Sequence, residues 1–166
     1  MKRLFAAVAV ATLLPAAALA APNPLAAELR QTMFVKDVEL TWSFDDAKFT
    51  DEASYVAYKA DAQQRIKAAV ASTFANSPAG SEPVVFKIDV NQFSCASTGC
   101  SVRADVAVVQ QSDGKELGVY HKVRGFQVAS GGLLGVAIQA ATKPDVVGIT
   151  AANFAGTLRG KFDAKK

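Results

Sequence analysis

Between Phe34 and Phe44 the chain reads FVKDVELTWSF, with Phe34, Val38, Leu40, Trp42 and Phe44 on one side and Asp37, Glu39, Thr41 and Ser43 on the other. A period of two over that length predicts a strand with one buried face. Lys36, on the apolar side, marks its edge or start. Thr50, Asp51 and Glu52 then offer a hydroxyl cap and two carboxylates where a helix amino end favours negative charge. Tyr55, Tyr58, Ala62, Ile66, Ala69, Val70 and Phe74 recur at helical spacing up to the breaker-rich NSPAGSEP. They predict an amphipathic helix of about six turns, whose tyrosines anchor it on a sheet or line a pocket.

The second half alternates more strongly. PVVFKIDV sends Val84, Phe86, Ile88 and Val90 inward, and SVRADVAVV sends Val102, Ala104, Val106 and Val108 inward. Cys95 and Cys100, with four small or polar residues between them, sit at opposite ends of the intervening hairpin loop. If they face each other, even positions must pair with odd ones, which conflicts with both strands burying even residues. One extra residue at Asn91 or Gln92 removes the conflict, so a β-bulge is predicted there. Asp113-Gly114, between Ser112 and Lys115, is a two-residue hairpin signal. In that register Val108 meets Val119, Val106 meets His121 and Ala104 meets Val123 on one face. Asp105 meets Lys122 and Arg103 meets Arg124 on the other, the last a pair of like charges.

From Gln127 to Thr142 the sequence QVASGGLLGVAIQAAT carries no charge. It is too short to span a bilayer and too rich in glycine at its start for a strand. Three readings stand: a loop and short helix folded on the core, a flap over the second face of the sheet, or an exposed apolar patch for a partner or a membrane surface. Gly131, Gly132, Leu133, Leu134, Val136 and Ile138 form the candidate interaction segment. A closing helix follows, with Pro144 suited to its first turn and Val147, Ala151, Phe154, Leu158 and Phe162 on its apolar face. Ala152, Gly156 and Gly160 make a small-residue stripe that admits a close backbone neighbour.

The first twenty residues have a different character. Lys2 and Arg3 precede the uncharged run Leu4 to Leu14, and Ala18-Leu19-Ala20 gives a small-x-small pattern ahead of Ala21, as in a secretory signal peptide. The residue that follows that cut is Ala21 and not a cysteine, so a lipid anchor has no attachment atom and an exported, non-lipidated periplasmic protein is expected. Removal of Lys2 and Arg3 leaves 16 basic against 15 acidic residues, a formal net charge of +1. That balance, without any stripe of basic and aromatic residues, disfavours nucleic acid as a partner. The division expected is 1–20 signal peptide, 21–32 flexible N-terminal segment and 33–166 one domain, with no transmembrane segment in the mature chain.

In an oxidising compartment the close pair Cys95 and Cys100 reads as a disulfide staple. The redox alternative calls for a C-x-x-C spacing at a helix start, and a structural zinc site calls for four ligands that His121 cannot complete. His121, Tyr120 and Arg124 form a candidate pocket. As a catalytic base the imidazole lacks a nucleophile and an orienting carboxylate in the pattern, so a structural role is the better reading. No catalytic, cofactor-binding or metal-binding residue is assigned, and no cofactor is expected.

The order β-α-β-β-β-α is α+β: a four-stranded antiparallel or mixed sheet with two helices on one face. A strand, a long helix, a breaker-rich link, a hairpin at Asp113-Gly114 and a glycine-rich SGGLLG before a last helix resemble small uncharacterised bacterial envelope proteins. Many of those are lipoproteins, related in fold to the periplasmic domain of the curli secretion lipoprotein and to the amino-terminal domain of the Tol propeller protein. The resemblance implies envelope location and contact with another envelope protein or a membrane surface, and it transfers no catalytic residue. The function it favours is non-enzymatic interaction or assembly support; the alternative is a small-ligand binder or unfamiliar enzyme with a pocket near His121. Amino-terminal sequencing of the exported protein should begin at Ala21, and a thiol assay on it under denaturing conditions should find no free sulfhydryl.

Overall fold

The computed structural model describes residues 22–44, 53–75, 80–96, 99–128 and 145–165. Thr50 to Glu52, Pro144 and the whole signal segment lie outside them. In chain order the elements are α1 (Ala27–Thr32), β1 (Met33–Trp42), α2 (Ala53–Phe74), β2 (Glu82–Ala96), β3 (Gly99–Gln110), β4 (Glu116–Val128) and α3 (Val146–Asp163). The strands form one sheet in the order β1-β2-β3-β4. β1 runs parallel to β2, and the other two pairs are antiparallel. Parallel neighbours need a crossover, which α2 supplies. The α+β class is therefore as expected, with a mixed sheet and the short α1 in addition.

The helical faces are those the spacing predicts. Tyr55, Ala62, Ile66, Val70 and Phe74 of α2 and Val147, Ala151, Phe154, Leu158 and Phe162 of α3 are all buried with Val84, Phe86, Ile88 and Val90 of β2 and Val102, Ala104, Val106 and Val108 of β3. Phe74 meets Phe86 and Phe162 edge-on, with ring centroids 5.0 and 5.3 Å apart. Truncating one such ring costs about 3–5 kcal/mol. Arg65 of α2 binds both Asp61 and Asp145, and Asp145 caps α3 by accepting from the Gly148 amide at 2.9 Å.

Single-residue bulges keep the inward residues in phase. Lys36 is one, because the β1–β2 register shifts between Val35 and Asp37. The shift expected near Asn91 falls between Val90 and Gln92, and it places Cys95 opposite Cys100. Leu117 is another, since the β3–β4 register shifts between Val108 and Val109, and Lys122 is a fourth, with φ of 53°. Ala104 pairs with Val123 and Arg103 with Arg124 as expected, but beyond the bulge Val106 faces Tyr120, Ala107 faces Val119 and Val108 faces Gly118. The uniform register, with Val106 against His121 and Val108 against Val119, is thereby corrected. The left-handed backbone at Lys122 costs about 1–2 kcal/mol. It is offset by its N–H, which donates to Asp105 Oδ1 at 2.8 Å.

The turn after β3 also differs. Among the described residues only Gly114 and Lys122 have positive φ, so Asp113-Gly114 is not a two-residue mirror-image turn. A longer loop closes through the Gln110 amide on the Lys115 carbonyl at 2.8 Å and the Gly114 amide on the Gln110 carbonyl at 3.0 Å. Asp113 instead uses its carboxylate to accept from the Lys115 amide at 3.0 Å.

Within residues 22–32 a buried asparagine ties the chain to the far end of the domain. Asn23 is 7% exposed, and its amide nitrogen donates to the carbonyls of Lys161, Phe162 and Ala164, each at 3.0 Å. Those groups end α3, where carbonyls have no partner within the helix. Asn23 Oδ1 accepts from the Leu25 amide and from the Tyr120 hydroxyl, both at 3.0 Å. Arg30 also donates to the Phe162 carbonyl. Leu25 and Met33 are fully buried beside this latch.

α3 lies against β4 at Gly125, where a Cβ would stand 2.4 Å from the Thr150 carbonyl oxygen. Its side chains also serve the strand's outer backbone: Asn153 Nδ2 donates to the Phe126 carbonyl at 2.8 Å and Lys161 Nζ to the His121 carbonyl at 3.2 Å. The close approach expected along Ala152, Gly156 and Gly160 is not found among the described residues, where a Cβ at Gly156 or Gly160 meets nothing within 4 Å. Gly125→Val should accordingly destabilise the protein by about 3 kcal/mol in denaturant unfolding. Gly156→Ala, on an open helical site, should stabilise it by about 0.5–1 kcal/mol.

Candidate functional site

The sulfurs of Cys95 and Cys100 are bonded to each other, and both residues are buried at the end of the β2–β3 hairpin. Thr150 of α3 donates its hydroxyl to the Cys100 carbonyl at 3.3 Å, tying the stapled end to the helix. Gly131, Gly132, Leu133, Leu134, Val136 and Ile138 lie outside the described residues, as do all of 129–144.

Tyr120, His121 and Arg124 do not converge on one site. Tyr120 and His121 contribute to a cleft of about 780 Å³ between the N-terminal segment, β4 and the last turns of α3. Pro22, Pro24 and Val119 give it an apolar wall, and Thr157 and Lys161 a polar one. Tyr120 is buried, and burial pushes its phenol up to about 12 although Arg30 and the Asn23 hydrogen bond act the other way. His121 is 69% exposed, and its Nδ1 lies 3.1 Å from Asp105 Oδ2. The carboxylate absent from the sequence pattern is thus supplied by the bulge, which brings both His121 and Lys122 opposite Asp105.

Burial works to raise the Asp105 carboxyl pKa, but the Lys122 amide, the His121 ring and the charge of Arg103 outweigh it and the net shift is downward. An exposed imidazole on a partly exposed carboxylate is a surface pair of small energetic weight. Among the described residues no group of three histidine, cysteine or acidic side chains could hold a metal ion. No described helix is long and apolar enough to cross a membrane.

Arg124 belongs to the other face of the sheet, which neither α2 nor α3 covers. With Gln92, Ser101, Arg103 and Phe126 it borders a hollow of about 320 Å³. Arg103 and Arg124 are directly opposed, and Arg103 Nε donates to Asn91 Oδ1 at 3.1 Å. Phe126 is 61% exposed, the most exposed large apolar side chain among the described residues. Toward the middle of the same face Asp89 stands opposite Asp105, and Lys87 pairs with Glu39 at 3.7 Å.

No family model and no curated protein matches the chain. Among solved structures it is similar to a candidate lipoprotein from Caulobacter crescentus CB15 at 10% identity and a TM-score of 0.39, over 75% of this chain and 86% of that one. A PelC variant dodecamer from Paraburkholderia phytofirmans aligns at 12% identity and a TM-score of 0.35, over 78% and 91%. An uncharacterised protein aligns at 13% and 0.31, over 82% and 95%. These are distant likenesses of outline and transfer no function to this chain.

The Tyr120 phenol gives the site a pH signature. Its pKa rises on folding from the ordinary 10, so its stabilisation is complete below pH 10 and is lost as pH rises toward about 12. Denaturant unfolding across that alkaline range should show stability falling with pH, and Tyr120→Phe should flatten the slope.

Proposed function

We propose that this chain is an exported, non-lipidated protein of the bacterial envelope that acts by contact, as an interaction or assembly-support component. The signal-like first twenty residues and the bonded cysteines support export. The layout likeness to curli and Tol domains points to the same compartment.

The observation that carries the reading is the sheet face left uncovered by α2 and α3, with Phe126 exposed on it just before the uncharged stretch 127–142. An aromatic ring held in water beside a run of apolar sequence favours a surface that meets a partner. The cleft of about 780 Å³ beside Tyr120 and His121 favours a second reading, a small-ligand binder.

A photoreactive phenylalanine analogue at position 126 or 134, introduced in living cells, tests the first. A discrete adduct with one envelope protein, identified by mass, is expected from both positions and not from Val56, which is exposed on α2. Adducts with only lipid or the chain itself would overturn it.

A further inference from the structure

The hollow on the open face is polarised. Arg103 and Arg124 occupy directly opposed positions, where like charges repel. Arg103 is oriented by Asn91, and Arg124 makes no ion pair among the described residues. Asp105, the nearest acidic neighbour along β3, has one oxygen on the Lys122 amide and the other on His121. Its charge leans on Arg103 but leaves Arg124 uncompensated. Gln92 and Ser101 add neutral donors at the rim, and Phe126 adds an exposed ring.

Two guanidinium forks around one small hollow match a planar carboxylate, which each can grip with paired N–H donors. Building on the contact function proposed above, we propose that the partner docks here through an acidic segment, one carboxylate bridging Arg103 and Arg124 and a neighbouring apolar side chain lying on Phe126. A phosphate headgroup shares the charge, but a flat anionic bilayer laid on this face would also meet the opposed Asp89 and Asp105, which stand in its middle. A narrow segment that reaches only the arginine end avoids that repulsion. The bulges at Asn91 and Lys122 matter here, since they flank residues 103–105 and set how those side chains present.

The test uses the whole chain in cells with the photoreactive analogue at position 126, in the parent and in the double variant Arg103→Glu/Arg124→Glu. The adduct yield should fall about tenfold in the variant, the loss that goes with removing one charge-assisted contact. Arg103→Lys/Arg124→Lys should retain an intermediate yield because lysine keeps the charge and loses the fork. Unchanged melting of the purified variants separates lost contact from lost fold. The captured stretch of the partner, sequenced by mass spectrometry, should be rich in Asp and Glu. A parent adduct that persists in the Glu variant, or a captured stretch that is basic, overturns this inference and leaves the contact function standing. A lipid adduct in the parent, or no protein adduct there, overturns both.

Discussion

The structure depends on a matter of phase. Four strands must present their large side chains to the same two helices, and alternation along a strand allows no error, because a slip of one residue turns every later side chain to the other face. Bulges at Lys36, Asn91, Leu117 and Lys122 absorb the odd residues. Two of them are held by side chains of the central strand β3: Arg103 reaches Asn91, and Asp105 takes the Lys122 amide. The same residues that correct the phase inside therefore arrange the charges outside. Core and open face are two sides of one device.

The latch at Asn23 joins parts of the molecule that are far apart in sequence. Its amide satisfies the end of α3, and its carbonyl holds both its own turn and the Tyr120 hydroxyl of β4. Without it the Lys161 and Ala164 carbonyls and the Tyr120 phenol would lose this partner, while the Phe162 carbonyl keeps Arg30. Each buried polar group left unsatisfied costs about 1–3 kcal/mol. The raised Tyr120 pKa reports the same dry environment.

Much of the interior was legible in the sequence, because period and parity are local. The faces of β2 and β3, both helical faces, the Cys95–Cys100 pairing and the Asn91 bulge all follow from counting apolar positions. On β1 the count put Phe34 inward, whereas ahead of the Lys36 bulge it is Met33 and Val35 that join the core. Asn23 was not legible: its partners on α3 lie 138 to 141 residues away, and an asparagine near a proline reads equally well as a loop. The Lys122 bulge escaped because lysine carries no local sign of a positive φ. A signal was nonetheless present in VYHKV, where Tyr120 and Val123 are three apart and cannot both face inward on a regular strand. The parity argument applied at Asn91 would have placed His121 outside and found Asp105 beside it. Gly125 could not be distinguished from Gly156 and Gly160 by residue type, since only the packing decides which glycine has a neighbour.

The positions of Asn153 and Lys161 have a consequence for how such a molecule lives in a crowded space. An outermost strand normally offers a row of bare carbonyls and amides on which a further chain can lay itself, and repeated addition yields runaway polymers. On β4 two of those carbonyls, at Phe126 and His121, are already occupied by the neighbouring helix. On β1, at the other margin, the kink at Lys36 breaks the flat run a newcomer would need. With both margins spoiled for strand-upon-strand growth, the sheet is guarded against serving as a template for further chains.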